Sequence, residues 1–518
     1  MEKDYLKISK ASDLKEPKER ALYRLLEIFP GASAWGTLFL VIILSWQRPV
    51  WIAVFIIFFD LYWLLRTIYF SFHLKSGYKQ MRKNEKIDWV EKLNQLTVNN
   101  QQLAIKNWQE IYHLIILPMY KEPLEIVRES FQAIANTDYP KDKIIVVLAC
   151  EERAGAVAQK TAKAIKEEFG DKFFKFLITF HPANLPGEIA GKGSNETWST
   201  KKVKEIIIDP LKIPYQNIIF SSLDVDTVVL PKYFSCLTWH YLTAEKPTRT
   251  SFQPIALFIN NIWQAPPFSR VFAFSATFWQ TMCQERPEKL ITFSSHSMSF
   301  EALVDVGFKD PRVVSDDSRI FWQCFLKYDG DYRVQSLFYP ISMDANVAKN
   351  IFKTAVNVYK QQRRWSYGVG DVPYFLFGFH KNKKIPFKKK LPFMLELIEG
   401  HWSWAVASIL IFLLGWLPLI LGGAEFSQTM ISYNLPQITA WILTITMLGL
   451  VGSAYLSILL LPPRPPQYGR SKFLILILEW FFLPVIMVFF TSLPALDSQT
   501  RWMLGKYMGF WPTEKVRK

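Results

Sequence analysis

The chain has 518 residues, with 61 Lys and Arg against 45 Asp and Glu, a formal net charge of +16, and 41 Phe, 21 Tyr and 19 Trp in a composition that is 50% hydrophobic. That length excludes a stapled mini-protein, and the apolar and aromatic content excludes a disordered chain. Basic charge with many aromatics suits a nucleic-acid binder or a membrane protein, and the placement of the charges separates the two.

In chain order, residues 1–30 form an expected cytoplasmic segment carrying Lys3, Lys7, Lys10, Lys15, Lys18, Arg20 and Arg24. Two apolar runs follow, 31–46 (GASAWGTLFLVIILSW) and 50–72 (VWIAVFIIFFDLYWLLRTIYFSF), separated by Gln47-Arg48-Pro49. A span needs ~20 apolar residues, so these predict a transmembrane hairpin over 31–72, its first arm short. Lys75, Lys79, Arg82 and Lys83 open a linker over 73–104 and, by the positive-inside rule, place both hairpin ends in the cytoplasm. A basic interfacial segment over 376–401 precedes apolar runs at 402–421, 438–461 and 473–491, which predict a transmembrane region over 402–494 with two or three spans. The last run either spans, leaving the tail 495–518 outside, or is broken at Pro484 and Pro494 and re-entrant, returning the tail to the cytoplasm. The chain therefore reads as an integral cell-membrane protein with the lipid bilayer as a partner and a cytoplasmic middle. Cys150, Cys236, Cys283 and Cys324 all lie in that middle without a metal or disulfide spacing, which suits a reducing compartment.

Residues 105–375 alternate short apolar runs with helical periodicity. The runs 113–118, 143–148, 174–180 and 217–223 predict strands buried on both faces, and 125–135 and 156–169 predict helices. This is the signature of an open, mostly parallel α/β sheet, whose ligands bind beyond the carboxyl ends of the strands. Beyond the fourth run stand Asp224 and Asp226, two carboxylates on one side of an extended chain and able to share Mg²⁺ or Mn²⁺ with a nucleotide diphosphate. Residues 187–195 read GEIAGKGSN: either a loop in which glycines admit an anion to the backbone beside Lys192, or a flexible surface loop. Ser315-Asp316-Asp317 is either a helix N-cap or a general base. In Gln361-Gln362-Arg363-Arg364-Trp365, Gln361, Arg364 and Trp365 share one helix face, where they either hold a sugar and a leaving diphosphate or anchor an interfacial helix; Arg363 and Arg364 are both expected to meet phosphates.

These motifs, in this order, resemble the membrane-integrated family 2 glycosyltransferases, the cellulose- and hyaluronan-synthase-like enzymes with a Q-x-x-R-W motif. The resemblance covers roughly residues 110–375 and implies a GT-A-like domain over 105–375 set between N- and C-terminal transmembrane helices. It implies an inverting, metal-dependent transfer from a nucleotide sugar, a UDP-sugar by expectation, to a growing glycan or a lipid-linked acceptor. Asp224 and Asp226 then hold Mg²⁺ or Mn²⁺, Asp317 is the base, and Gln361, Arg364 and Trp365 serve acceptor and diphosphate. Tyr120, Glu122, Glu152, Lys192 and Asp224 bind the donor, although Cys150-Glu151-Glu152-Arg153 replaces the family's Asp-Asp-Gly-Ser. Ser315-Asp316-Asp317 stands for Thr-Glu-Asp, and Phe510-Trp511-Pro512-Thr513-Glu514-Lys515 resembles the F-x-V-T-x-K gating loop, with Phe510, Thr513 and Lys515 as its marks. Single-sugar transfer to a polyprenyl phosphate is the alternative chemistry. A transporter with a nucleotide-sensing domain, using the intramembrane acids Asp60 and Glu479, is the alternative class. No nucleic-acid partner is expected.

Overall fold

The structure, a computed structural model, describes residues 3–97, 103 and 105–517; residues 1–2 of the N-terminal segment, 98–102 and 104 of the linker and 518 of the tail lie outside the described residues. The predicted hairpin is a pair of long helices, α1 (Pro17–Gln47) and α2 (Pro49–Lys86). Pro49 starts α2 because a first-turn residue needs no N–H and its ring presets φ. Among the described residues, four helices are long and apolar enough to cross a membrane: α1, α2, Met430–Leu459 and Lys472–Met503. A fifth candidate is the pair Phe387–Phe412 and Leu414–Leu421, bent by 52°. Outward-facing Phe58, Phe72, Trp441 and Leu448 leave these helices with an apolar surface that water would not favour.

Lys472–Met503 is irregular, with a 3-10 turn at Glu479–Phe482 and a π turn at Val488–Ser492. Glu479 near its start accepts two hydrogen bonds from the buried Arg270 at 2.7 and 2.9 Å, and Asp497 near its end pairs with Arg363 at 2.9 Å. Arg270 sits on the helix Pro267–Cys283, which packs on the strand Thr250–Leu257, and Arg363 on the helix Ile351–Ser366, which packs on Pro267–Cys283 and on the final segment itself. Both ends of the segment thus lie against one domain.

That domain is built on an eight-stranded sheet of order β3-β2-β1-β4-β7-β6-β8-β5. Its strands are β1 (Tyr112–Met119), β2 (Ile144–Glu151), β3 (Lys175–His181), β4 (Ile218–Ser222), β5 (Val228–Val229), β6 (Thr250–Leu257), β7 (Ser297–Ser299) and β8 (Arg333–Ser342). The four predicted strands are β1 to β4, mutually parallel, and the two predicted helices are Leu124–Ala135 and Ala156–Phe169. Side chains of β1 alternate between two cores: Ile115 and Leu117 enter one, Leu114 and Ile116 the other.

The other half adds short antiparallel pairings to a sheet whose longer pairings are all parallel. β7 runs antiparallel to both β4 and β6, and β5 antiparallel to β8, so the sheet is mixed. β6 and β8 pair in parallel but contain Pro254 and Pro340, which lack a ladder N–H, and the register shifts between Gln253 and Ile255. β5 and β7 are too short to show a period.

Candidate active site

The carboxyl ends of β1, β2 and β4 open on one cleft. The turn after β4 carries Asp224 and Asp226, and Ser294 Oγ donates to Asp224 Oδ2 at 2.8 Å. Lys192 begins the helix Lys192–Val203, and its Nζ lies 2.7 Å from Asp224 Oδ1 and 2.9 Å from Asp317 Oδ2. One ammonium therefore joins the Asp-x-Asp corner to the acidic pair. Two glycines make this possible by close approach: a Cβ on Gly193 would lie 2.9 Å from the Asp316 Cβ, and one on Gly191 2.5 Å from the Phe510 ring.

Asp316 and Asp317 open the helix Asp316–Lys327, and Ser315 at the N-cap position makes no side-chain capping bond. Both carboxylates turn inward to a lysine that sequence reading missed. Lys309, buried, donates to Glu196 at 2.6 Å, to Asp316 and Asp317 at 2.9 Å each, and to Ser222 Oγ at 3.0 Å. Burial alone would raise the Asp317 carboxyl, but Lys192 and Lys309 outweigh it and hold it well below the ordinary carboxylate range. Glu196 behaves oppositely: burial prevails over Lys309 and Lys192 and pushes it up to about 7. Asp224 is likewise drawn down to about 2, because Lys192 and Lys515 overcome its burial.

Ligand atoms of Glu196, Asp316 and Asp317 lie within 4.8 Å of one another, a spacing that suits a metal ion. The Lys309 ammonium donates to all three and so occupies the point at which an ion would sit. Asp226 is the better candidate: its Oδ1 is buried and accepts no hydrogen bond, and the cation beside it is the Lys515 ammonium at 2.5 Å. Hard oxygen ligands facing a stand-in cation fit Mg²⁺ or Mn²⁺.

Lys515 belongs to the tail after Met503, which runs without regular structure through the cleft. Phe510 packs under the Arg364 guanidinium at 4.7 Å, and Trp511 lies 4.9 Å from Lys360. Thr513 Oγ1 is buried without a hydrogen bond. Arg364 faces the cleft and feels Asp224, Asp316 and Asp317, whereas the neighbouring Arg363, also expected at phosphates, turns away to Asp497. Trp365 sits in an aromatic cluster with Phe258 and Phe272, centroids 6.0 and 5.8 Å away, and Gln361 accepts from Asn346 at 3.3 Å.

At the β1 end, Glu122 accepts the Tyr120 N–H at 2.7 Å, and burial raises its carboxyl against the pull of Lys515. At the β2 end, Glu152 is exposed and accepts from the Ala183 N–H at 3.1 Å. It is the buried Glu151 that faces inward, paired with Arg153 at 2.5 Å, and Arg153 lies over Tyr120 at 4.7 Å. The structure thus gathers Asp224, Asp226, Lys192, Asp317, Glu122, Arg364, Phe510 and Lys515 into one charged cleft. Glu151 joins it from the end of β2 and Glu196 from the helix Lys192–Val203, while Lys309, Asp344 and Arg517 come from loops, where isolated charged residues carry no sequence signal.

No protein-family model matches the chain, and no curated protein matches it. Among solved structures it is similar to the mannosyltransferase PcManGT from Pyrobaculum calidifontis in complex with GDP-Man and Mn²⁺, at 14% identity and a TM-score of 0.40, covering 76% of this chain and 99% of that one. It is also similar to S. aureus TarS 1–349, at 10% identity and a TM-score of 0.33, covering 67% and 91%. A third is GalNAc-T7 with UDP, GalNAc and Mn²⁺, at 11% and 0.34, covering 56% and 58%. At these scores the likeness is too slight to carry fold or function to this chain.

Proposed function

We propose that this chain is a membrane-embedded, inverting glycosyltransferase with a GT-A-like domain, transferring a sugar from a nucleoside-diphosphate donor to a glycan or lipid-linked acceptor. The observation that carries the proposal is Lys192, which touches Asp224 and Asp317 at once. It supports a cleft in which diphosphate and proton acceptor are one side chain apart. Asp226 and Asp224 are the carboxylates suited to Mg²⁺ or Mn²⁺, which, when bound, offsets charge on the departing diphosphate. Asp317 Oδ2 takes the proton of the acceptor hydroxyl as its oxygen bonds to the anomeric carbon and the bond to the diphosphate breaks; Lys192 and Arg364 meet the leaving group. Tyr120, Glu122 and the Glu151–Arg153 pair line the side suited to the nucleoside, and Trp365 with Gln361 the side suited to acceptor sugar. The contacts of Glu479 and Asp497 support a broken final segment that returns to the side of the domain, where the tail also ends. That side is the cytoplasm by charge placement. Glu479 spends its carboxylate on Arg270, which removes one of the two acids a transporter would use.

The test is nucleoside diphosphate release by purified protein across a panel of nucleotide sugars with Mg²⁺ or Mn²⁺. Asp317→Asn should lower release by about 10²- to 10⁴-fold while donor binding persists. Release unchanged in that variant removes Asp317 as the base, and no release with any donor removes the function. Product length separates polymer synthesis from single-sugar transfer to a polyprenyl phosphate.

A further inference from the structure

Asp344 was not marked by the sequence. Because β5 pairs with β8, with Val228 opposite Ser342, the residues just before β5 and just after β8 are brought side by side. Those residues are Asp226 and Asp344. The Asp344 N–H donates to Asp226 Oδ2 at 3.2 Å, and Asn260 Nδ2 bridges the Asp226 carbonyl and Asp344 Oδ1 at 3.0 and 3.1 Å. Both carboxylates are 2% exposed.

Two desolvated carboxylates held side by side are unstable without cations. Here the cations come from the last residues of the chain. Lys515 Nζ stands 2.5 Å from Asp226 Oδ1, and Arg517 grips Asp344, with Nη2 at 2.6 Å from Oδ1 and Nε at 3.1 and 3.2 Å from its two oxygens. Arg517 also touches the half-exposed Glu129. Asp226 Oδ1 accepts no directed hydrogen bond even so. The corner thus holds two negative charges, buried oxygen ligands and two single positive charges on an irregular segment. One divalent ion would replace both positive charges without changing the corner's total.

We propose that Asp344 is a ligand of the divalent cation together with Asp226, and that Lys515 and Arg517 are the counter-cations this ion displaces. The proposal rests on the glycosyltransferase reading for the presence of a metal, but not on the transfer itself. The alternative role for Asp344 is an anchor for Arg517 alone, and the two roles differ in sign. An anchor's removal frees the tail and leaves metal affinity unchanged or stronger. A ligand's removal weakens it.

Mn²⁺ binding to the purified full chain, without donor, is followed by loss of the free-ion electron paramagnetic resonance signal. Asp344→Asn should weaken binding by about tenfold or more, and Arg517→Gln should tighten it because the corner then lacks one competing cation. Wild-type affinity, or tighter, in Asp344→Asn overturns the proposal, as does Arg517→Gln binding no tighter than wild type. Arg517→Gln leaves both carboxylates in place and tests the proposal even if Asp344→Asn folds poorly. Asp226→Asn separates the two levels: if it abolishes binding while Asp344→Asn does not, only the present inference fails. If Asp226→Asn binds Mn²⁺ normally, the metal assignment of the function itself fails.

Discussion

Lys309→Met removes four contacts from one buried point: those to Glu196, Asp316, Asp317 and Ser222. Breaking a buried ion pair by deleting one partner costs about 3–5 kcal/mol when the remaining charges stay ionised. Here they can escape by taking up protons, so the cost should depend on pH. Burial already raises Glu196 from 4.5 to about 7 in the intact protein, a rise that corresponds to about 3 kcal/mol. Because the folded value lies above the ordinary one, this contribution to stability is fully present below about pH 4.5 and lost as pH rises through 7. Without Lys309 the carboxyls rise further and the loss extends to higher pH. Thermal unfolding of detergent-solubilised protein, followed by tryptophan fluorescence from pH 5.5 to 8.5, reads the effect. The midpoints of wild type and Lys309→Met should approach each other at the acid end and separate at the alkaline end. A gap independent of pH, or a variant as stable as wild type at pH 8.5, would refute the reasoning.

Gly191→Ala should dislodge the tail, because its Cβ would lie 2.5 Å from the Phe510 ring; limited proteolysis should trim the last residues faster than in wild type, whereas Gly36→Ala, with nothing within 4 Å, should leave trimming unchanged. Glu479→Leu should cost about 3–5 kcal/mol by stranding the buried Arg270 guanidinium. The double variant Arg270→Met/Glu479→Leu should recover most of that, read as the thermal midpoint.

The parallel half of the sheet was legible because β1, β2 and β4 are buried on both faces and leave near-continuous apolar runs. Asp224 and Asp226 were legible for the same reason, as the end of such a run marks the ligand side. The other half was not. β5 spans two residues and β7 three, and the prolines in β6 and β8 argue against strands that tertiary pairing nonetheless forms. What that half contributes to the site was therefore hidden with it: Asp344 is adjacent to Asp226 only through the β5–β8 pairing. Lys309 follows Gly307 and Phe308, both at positive φ, and only that tight turn aims its side chain at the acidic pair. The glycines around Lys192 were visible, and the structure adds that two of them allow close packing against Phe510 and Asp316. Arg363 and Arg364 were indistinguishable in sequence; a helix turns adjacent residues about 100° apart, and one meets the cleft while the other meets Asp497.

The depressed Asp317 carboxyl is at first sight a poor base, and the same geometry that depresses it shows how it becomes a good one on the proposed chemistry. The Asp-x-Asp corner, the acidic pair, Glu196 and Asp344 already have cations on them: Lys192 with Asp224 and Asp317, Lys309 with Glu196, Asp316 and Asp317, Lys515 with Asp226, and Arg517 with Asp344. A buried site so compensated admits a charged ligand only by exchange of partners. Lys192 is the exchange point, because it alone among these cations spans the Asp-x-Asp corner and the base. A diphosphate that draws Lys192 away leaves Asp317 Oδ1 held by Lys309 and Oδ2 without its cation. The carboxyl then rises toward the ordinary range with Oδ2 bare to receive a proton. Until the donor is in place the base stays occupied, so neither water nor acceptor is activated early, and Lys309 keeps the carboxylate oriented throughout.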